Sequence, residues 1–395
     1  MISSASFEGR RALRRVLILA DESANWRVAG LRQLDRLALA LEEFARDQLG
    51  APLEVQVCWR AEIAAADRWL PNDERLLHLV LTERGDDAAA ADLVLDTHIF
   101  LYRQSVANLA AILPASSPVQ PETLPIGPWK YLHNRTEIPA CERDFLRHHG
   151  GKSQDGLVSR YLNRPISRML SRWLLKLPLV PSVWSLLIFA LPITATFFFL
   201  RGTYEGFVAG CAIFQLYSIL DGCDGEIARA KFLQTEFGRR LDSLLDLIGN
   251  IMLALSLAVG LSKQANALGA NGWFFLGEGI AAALLILTSE GIVFARRARP
   301  ENYAHSPGRW NGVLYQRHHE FLERSGLLLL GERAAWWVVQ LTKRDMGMLA
   351  FLMLALAAWP QGILHLLFSV SALSSAFAGN AFLRQPAPAV PQQAS

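Results

Sequence analysis

The sequence predicts a multi-domain chain, in which an N-terminal α/β sheet domain is followed by an all-α domain of six transmembrane helices. Charged residues are frequent up to about residue 180, and long uncharged runs dominate after it. Before that point, short strand-like runs alternate with segments of helical period. We expect a cytoplasmic α/β domain over 1–150, a linker with a juxtamembrane amphipathic helix over 151–180, a membrane domain over 181–384, and a disordered tail over 385–395.

The composition already excludes several classes of protein. Among 395 residues, 39 are Lys or Arg and 36 are Asp or Glu, so the formal net charge of +3 is too small for a nucleic-acid-binding protein. Cys58, Cys141, Cys211 and Cys223 form no C-x-x-C pair, which argues against a disulfide framework and a zinc site. The polar, basic N-terminal residues lack the apolar run of a signal peptide. We therefore expect reduced thiols and a cytosol-facing N-terminus.

The first domain alternates strands and helices, which is typical of a parallel sheet with helices on its faces. The predicted strands are VLILA (16–20), LEVQVCW (53–59), LHLVL (77–81) and DLVLDTHIFLY (92–102). The predicted helices are 31–47 and SVANLAAIL (105–113), and prolines at 114, 118, 121, 125 and 128 then end the regular structure.

A basic stripe precedes the membrane domain. Its members recur every four residues, with leucines and an isoleucine between them: Arg160, Arg164, Arg168, Arg172 and Lys176. This spacing predicts a helix that lies along the lipid headgroups and begins after a break at Pro165. Two interpretations remain open: a generic positively charged flank, or a surface that holds an anionic substrate.

Six apolar runs follow, and a helix needs roughly 20 residues to cross the hydrocarbon core of a bilayer. They are 183–200, 206–220, 244–261, 273–295, 346–359 and 362–383. With the N-terminus inside, the outer loops hold only Arg201 and Lys263, whereas the inner loops are rich in Lys and Arg. Because basic loops stay on the cytoplasmic side, we expect a multi-pass protein of the inner membrane with both termini cytoplasmic. The mixed segment 299–344 predicts an inserted interfacial helix or two.

The chemistry-bearing segment lies at the cytoplasmic end of the second run. Residues 221–246 read D-x-x-D-G-x-x-A-R, then eight residues, then G-x-x-x-D-x-x-x-D. On helices, Asp221 and Asp224 share one face, and Asp242 and Asp246 share a face of the next helix. Charges near a bilayer are costly, and like charges repel one another, so we expect divalent cations between the four carboxylates. Two such ions about 4 Å apart can hold a diphosphate.

This segment resembles the signature of the CDP-alcohol phosphotransferase (CDP-alcohol phosphatidyltransferase) family at every defined position, and the resemblance extends over about 155–384. It implies two Mg²⁺ or Mn²⁺ ions bound by Asp221, Asp224, Asp242 and Asp246, with Asp246 also the general base. It further implies a CDP site lined by Asp221, Gly225, Ala228, Arg229 and Gly238. The segment LVPSVWS (179–185) departs from the family pattern, which places the details of nucleotide contact in doubt.

The same resemblance implies the reaction and the partners. An acceptor hydroxyl attacks the phosphorus next to the donor alcohol and CMP is released, in phospholipid biosynthesis and within a lipid bilayer. The donor would be CDP-diacylglycerol or a CDP-polyol, and a homodimer is expected. Arg297 and Arg344 flank later spans on the same side, where they either receive an anionic acceptor such as a polyol phosphate or obey the positive-inside rule. Glu290 lies inside the fourth span, where it either takes part in acceptor binding or snorkels and pairs with Arg297. We expect His365 to make a hydrogen bond between helices.

The first domain resembles the nucleotidyltransferase fold, through VLILA, Arg27, Gly30 and the stretch GLRQLDRLALAL. Its loop reads DESANW (21–26), where glycines should admit a triphosphate and where Asp21 and Glu22 repel one. We therefore expect a degenerate domain; a plain α/β regulatory or dimerisation domain is the alternative. The fused order is also similar to bifunctional enzymes that make CDP-inositol and couple it to inositol phosphate. A membrane scaffold or sensor without turnover is the remaining possibility.

Overall fold

The computed structural model describes residues 13–83, 91–102, 106, 129–149, 155–297 and 326–383. The chain forms two compact units. The first contains residues 1–150 together with 171–179 and 226–233, and the second contains the remaining residues. Both short segments were assigned by the sequence analysis to the linker or the membrane domain, but they group with the α/β fold.

The first unit is built on a parallel sheet. The described strands are β1 (Arg15–Ala20), β2 (Arg27–Val28), β3 (Leu31–Arg32), β4 (Leu53–Trp59), β5 (Leu79–Glu83), β6 (Leu93–Asp96), β7 (Ile99–Leu101) and β8 (Trp129–Tyr131). Four of them form one sheet in the order β5-β4-β1-β6, in which every pair is parallel. The chain adds β4 and β5 on one side of β1 and then returns to place β6 on the other. The carboxyl ends of β1 and β6 therefore meet where the strand order reverses, a common position for ligands in such sheets.

Helix α1 (Gln33–Phe44) covers this sheet, and α2 (Ile138–His149) follows the last strand. Leu34, Leu37 and Leu41 recur at helical spacing on α1 and are fully buried. They belong to one apolar core with the inward residues of the strands, among them Ile18 and Val55. The predicted parallel α/β sheet is confirmed.

The predicted strand 92–102 is two strands. Asp96 Oδ1 accepts a hydrogen bond from the backbone N–H of His98 (2.8 Å), which closes a turn at the end of β6. After that turn, β7 leaves the parallel sheet and pairs antiparallel with β8. Apart from Val106, the predicted helix 105–113 and the proline-containing stretch after it lie outside the described residues.

The second unit is helical. The remaining described helices are α3 (Arg164–Leu174), α4 (Pro181–Ile188), α5 (Ala190–Phe199), α6 (Tyr204–Ala230), α7 (Glu236–Ala267), α8 (Trp273–Arg297), α9 (Glu332–Leu341), α10 (Arg344–Leu356) and α11 (Pro360–Leu383). Among the described residues, four stretches are helical, long and apolar enough to cross a membrane: Pro181–Phe199, Tyr204–Ala230, Glu236–Ala267 and Pro360–Asn380. An α/β domain followed by several apolar helices is thus confirmed.

The other two predicted spans are helices too, but they are shorter within the described range. The apolar part of α8 is Trp273–Ser289, and α10 has 13 residues, fewer than the roughly 20 of a full span. Helix α9 lies in the predicted insert 299–344, of which residues 299–325 are outside the described part. The tail 385–395 is also outside it.

The first predicted span is broken in the middle, which differs from the prediction. Helix α4 ends at Ile188 and α5 begins at Ala190, with Phe189 between them. Pro192 explains the break, because its ring lacks an N–H and clashes with the carbonyl of the residue four positions earlier, here Ile188.

Glycines allow the helices of the second unit to approach closely. A Cβ on Gly260 of α7 would lie 2.1 Å from the carbonyl oxygen of Phe199, and one on Gly279 of α8 would lie 2.2 Å from the Cβ of Ala258. Small residues at such contacts are typical of membrane helix packing. Phe199 and Phe207 are fully buried beside this contact, in the core that the helices share.

We predict that Gly260→Ala lowers the free energy of unfolding by about 1–3 kcal/mol, because the new methyl group overlaps a backbone carbonyl that cannot rotate away. Gly277→Ala is the matched control, since nothing lies within 4 Å of a Cβ placed there. Alanine is the better helix former, so this control should be neutral or more stable by up to about 1 kcal/mol. Thermal unfolding in detergent measures both, and equal effects of the two substitutions would contradict the assigned packing.

Candidate active site

Two helices bring three carboxylates together. Asp221 lies near the end of α6, and Asp242 and Asp246 lie one turn apart on α7. One carboxylate oxygen from each of the three lies within 4.8 Å of the others. All three side chains are partly buried. The i, i+4 spacing on α7 and the position of Asp221 on α6 thus bring together three of the four aspartates in the predicted group.

A guanidinium accompanies these carboxylates. Arg344, the first residue of α10, contacts Asp246 Oδ1 through Nη1, and the same nitrogen lies 4.0 Å from Asp221 Oδ2. Its positive charge reduces the repulsion between the carboxylates, which would otherwise be costly in this partly buried position. The sequence placed Arg344 among candidate acceptor-binding residues, and the structure places it within the acidic group itself.

Tyr217 is a member of the site that the sequence analysis missed. Its hydroxyl donates a hydrogen bond to Asp246 Oδ1 (3.1 Å), and the guanidinium carbon of Arg344 lies 4.9 Å from the centre of its ring. The ring is buried, with 2% of its surface exposed. Tyr217 precedes Asp221 by four residues on α6, so the signal was present in the spacing.

Asp224 is held by the start of the first apolar helix. Its Oδ2 accepts a hydrogen bond from the buried Ser185 hydroxyl (2.6 Å), and its Oδ1 contacts the N–H of Gly225. Trp184 Nε1 donates to the carbonyl of Leu220 (3.2 Å). Both partners belong to LVPSVWS, the segment that departs from the family pattern. Its serine and tryptophan therefore attach α4 to the acidic end of α6.

Arg164 of the basic stripe does not face lipid headgroups. It pairs with both carboxylate oxygens of Asp155 (2.8 and 2.9 Å) and donates to the carbonyl of Gly222 (3.1 Å). The Arg164 side chain is 7% exposed. A Cβ on Gly222 would lie 2.9 Å from its Nη1, so a side chain at that position would displace the guanidinium. In this place the stripe supports the backbone of the acidic motif.

The other predicted site residues lie near the ends of the same two helices. The hydroxyl of Thr235 accepts from the N–H of Gly238 (3.0 Å) and caps α7. Ala228 is buried in the last turns of α6, and Arg229 follows it. The side chains of Glu290 and Arg297 lie outside the described part of the structure.

The acidic group fits a divalent cation by its donor chemistry. Three carboxylates supply the hard oxygen ligands that Mg²⁺ and Mn²⁺ prefer. The contact with Arg344 also indicates that a positive charge is stable between Asp221 and Asp246. Asp221, Asp242 and Asp246 are the residues that would hold such an ion, and Asp224 as a fourth ligand remains a prediction.

A second polar group lies in the first unit. Asp21 follows β1, Asp96 ends β6, and His98 follows it, so all three lie where the strand order reverses. Each offers one ligand atom within 4.8 Å of the others. His98 Nε2 lies 3.0 Å from Asp21 Oδ2, and Arg60 Nη2 lies 3.3 Å from Asp96 Oδ2. The sequence analysis used Asp21 only as a repelling charge and did not connect it with the other two.

The ion pair in this group shifts the pKa of both partners. Burial acts to raise the pKa of Asp21, but hydrogen bonds from His98 and Ser23 and the charge of His98 outweigh it, so the pKa lies well below its ordinary value of 3.8. The hydrogen bond to Asp21 raises the pKa of His98 above 6.5, against the opposing effect of burial. This geometry favours a carboxylate paired with an imidazolium.

A third polar pair joins two apolar helices. His365 Nδ1 of α11 lies 2.7 Å from Glu278 Oε1 of α8. This is the interhelical hydrogen bond expected for His365.

The apolar helices and the acidic group at their ends define a membrane protein with a polar site built from helix termini. Residues 178–313 match the model of the CDP-alcohol phosphatidyltransferase family. The resemblance predicted from the aspartate motif is thus confirmed over this range, which includes α6 and α7 with all four aspartates.

Curated relatives carry the same domain. A protein named "Bifunctional IPC transferase and DIPP synthase" from Rubrobacter xylanophilus is 35% identical over 159 residues, which are 40% of this chain and 34% of the relative. One of the same name from Archaeoglobus fulgidus is 30% identical over 179 residues, which are 44% of this chain and 35% of the relative. The chain thus aligns with about a third of the length of these relatives.

We predict that the Asp21–His98 pair makes stability depend on pH. Because the pKa of His98 is raised above 6.5, its contribution is complete below that pH and is lost as the pH rises through the raised value. The pKa of Asp21 is lowered from 3.8, so its contribution is complete above that pH and is lost on acidification. The pair therefore stabilises most between these two ordinary values.

The test is His98→Asn, which should lower the free energy of unfolding by about 1.5–3 kcal/mol near pH 6. The difference from wild type should shrink on raising the pH to about 9. His133→Asn, at an exposed histidine of the same domain, is the control. Calorimetry of the full chain in detergent measures both, and a pH-independent loss in His98→Asn would contradict the ion pair.

Proposed function

We propose that the protein is a metal-dependent transferase that moves a substituted phosphate, phosphatidyl or polyol-phosphate, from a CDP-linked alcohol to a hydroxyl acceptor and releases CMP. The observation that carries this proposal is the convergence of Asp221, Asp242 and Asp246 inside the segment that matches the CDP-alcohol phosphatidyltransferase family. A pyrophosphate is the substrate group that most needs such an array of cation ligands.

Two Mg²⁺ or Mn²⁺ ions bound to these carboxylates would neutralise the negative charge of the pyrophosphate. The chain itself contributes the placement of the ligands. Asp242 and Asp246 are fixed one turn apart on α7, and Ser185 and Arg164 hold the end of α6 through Asp224 and Gly222.

In this proposal Asp246 accepts the proton of the acceptor hydroxyl. The hydroxyl oxygen forms a bond to the phosphorus next to the donor alcohol, the bond from that phosphorus to CMP breaks, and CMP leaves with the electron pair. Tyr217 and Arg344 both bind Asp246 Oδ1, so they orient the carboxylate. A carboxylate is a weak base, so the cations would also acidify or orient the acceptor hydroxyl.

The substrate contacts follow from the same arrangement. Gly225, Ala228, Arg229 and Gly238 would line the CDP site, as the family motif implies, with Arg229 opposite the diphosphate. Arg344 lies beside Asp246, the position that an anionic acceptor must approach. Glu290 and Arg297 remain further candidates for acceptor binding.

The wider setting is also part of the proposal. We place the protein in the inner membrane as a homodimer, with both termini cytoplasmic and a role in phospholipid biosynthesis. The apolar helices are the evidence for a membrane location, and the basic inner loops are the evidence for cytoplasmic termini.

We predict that Asp246→Asn lowers metal-dependent CMP release by at least about 100-fold, because the amide cannot accept the proton and binds a cation poorly. Glu236→Gln is the matched control on the same helix; its carboxylate is exposed and pairs with Arg239 and Arg240. The assay measures CMP from CDP-diacylglycerol and from CDP-linked polyols, each with a panel of polyol and polyol-phosphate acceptors.

Release that needs no metal, or that is equal in the two variants, would contradict the proposal. A folded protein that binds CDP but releases no CMP from any donor would favour a membrane scaffold or sensor instead.

A second candidate function is a bifunctional enzyme that also makes its own CDP-linked polyol, as an inositol-phosphate cytidylyltransferase joined to a di-inositol-phosphate-phosphate synthase. The names of the relatives favour it, since each joins a transferase and a synthase. The parallel α/β domain that precedes the membrane domain is a suitable fold for the first activity.

The end of β1 argues against cytidylyl transfer. In a phosphate-binding loop, backbone N–H groups after the first strand face the ligand. Here the N–H of Ser23 donates to Asp21 Oδ1 (2.8 Å), so the protein's own carboxylate occupies an amide that a phosphate would need. Ser23 is also fully buried.

We predict that the protein forms no CDP-inositol from CTP and inositol phosphate, because Asp21 both fills the anion position and repels a triphosphate. Pyrophosphate release is the measurement, with CMP release in the same preparation as the control for folding. Pyrophosphate release that depends on inositol phosphate would establish the bifunctional alternative.

A further inference from the structure

Two arginines of the α/β fold bind the end of α6. Arg36 Nη2 donates to the carbonyl of Ala230, the last residue of that helix (2.8 Å). Arg75 Nη1 donates to the carbonyls of Lys231 and Phe232, both at 2.9 Å. All of these residues belong to the first unit.

These hydrogen bonds satisfy backbone carbonyls that have no partner within the helix. The last four carbonyls of an α-helix have no partner within the helix, and the end carries a partial negative charge. The N–H of Leu233 closes the final turn on the carbonyl of Ala228 (2.9 Å), in the pattern of a Schellman motif. The two guanidinium groups bind the carbonyls that follow, so they cap α6 with positive charge.

Phe232 anchors this cap. Its φ of 55° is the left-handed conformation usually taken by glycine at this position, and a side chain there is strained. The ring nevertheless packs against the apolar core of the α/β fold, and the Arg36 guanidinium carbon lies 5.6 Å from its centre. A bulky ring in a strained conformation indicates that its packing outweighs the strain.

Arg36 is buried inside the α/β domain. It is 1% exposed, its Nη2 also donates to Val28 O (3.0 Å), and its guanidinium lies 4.7 Å from the centre of the Phe100 ring. Burial lowers its pKa to about 10, so the group keeps its charge at neutral pH. Arg75 is fixed by both oxygens of Asp73 (2.6 and 2.8 Å).

Lys231 and Gly30 pack closely beside the cap. Lys231 Nζ donates to the carbonyl of Leu177 (2.7 Å). A Cβ on Gly30 would lie 2.6 Å from Lys231 Cε and 2.7 Å from the carbonyl oxygen of Leu175. Gly30 has a φ of 84°, so both its backbone and its lack of a side chain suit this close approach.

We propose that the α/β domain is a clamp on the end of α6, and that Arg36 and Arg75 are positioning residues for Arg229 in the CDP site. This inference rests on the proposed function, because Arg229 is assigned to the CDP diphosphate there. Arg229 directly precedes Ala230, so fixing that carbonyl fixes the last turn of α6 and the direction of the arginine. The α/β domain then serves the transferase without any nucleotide chemistry of its own.

The test uses the full chain in detergent with two variants that leave the buried Arg36 in place. Arg75→Ala removes two bonds to the cap from a side chain that is one-third exposed. Phe232→Gly removes the anchor, while glycine takes the left-handed backbone without strain. Arg68→Ala is the matched control, since Arg68 binds Ile63 O and Glu83 instead. Arg75→Lys is the conservative variant.

The readouts are amide hydrogen exchange at Lys231 and Leu233, CDP affinity in the presence of Mg²⁺, and KM and kcat for the CDP-linked donor. We expect Arg75→Ala and Phe232→Gly to speed the exchange and to weaken CDP binding, each by about tenfold, because the bound conformation becomes a minor one. KM should rise while kcat at saturating donor changes by less than about twofold. Arg75→Lys should recover part of the loss, and Arg68→Ala should match wild type.

Unchanged exchange in both variants would overturn the clamp. Faster exchange with unchanged CDP affinity would overturn the positioning role, because the cap would then be structural only. A wild-type protein that binds no CDP and releases no CMP would contradict the proposed function, and faster exchange in the two variants would still support the clamp.

Discussion

The structure of the membrane half depends on how three carboxylates are tolerated at the ends of apolar helices. In a medium of low dielectric constant, the charges of Asp221, Asp242 and Asp246 would repel one another. The burial of each charge would also cost desolvation free energy. Arg344 reduces this repulsion, because it contacts the carboxylate of Asp246 and lies 4.0 Å from that of Asp221. The three carboxylates supply the hard oxygen ligands that divalent cations prefer, so the group suits a cation by its donor chemistry.

Holding these charges in place requires contacts from other helices and from the acidic helices themselves. Arg164 binds the backbone at Gly222, Ser185 binds Asp224, and Tyr217 binds Asp246. Each contact comes from a different part of the helical unit or from another turn of the same helix. The group is therefore a product of packing as well as of sequence spacing.

Much of the fold and of the candidate site was predictable from local sequence patterns, but the contacts between distant residues were not. The aspartates of α7 share a face because they are four residues apart, and the strand alternation predicted the parallel sheet. The role of Arg344 was missed because it lies far from Asp246 along the chain, so no periodicity connects the two. The division of residues 92–102 depends on one side-chain bond from Asp96, and alternation alone cannot reveal it. The break at Phe189, in contrast, was foreseeable from Pro192.

The arrangement at the end of β1 constrains how this domain can change. Asp21 acts as an internal anion, held by the amide of Ser23 and by the imidazole of His98. Replacing the carboxylate alone would remove the hydrogen bond that raises the pKa of His98. Replacing the histidine alone would leave Asp21 with the Ser23 amide and with Arg60 Nη1 at 3.7 Å. Substitutions at Asp21 and His98 are therefore coupled in their effect on stability, so the cost of changing one depends on whether the other is present.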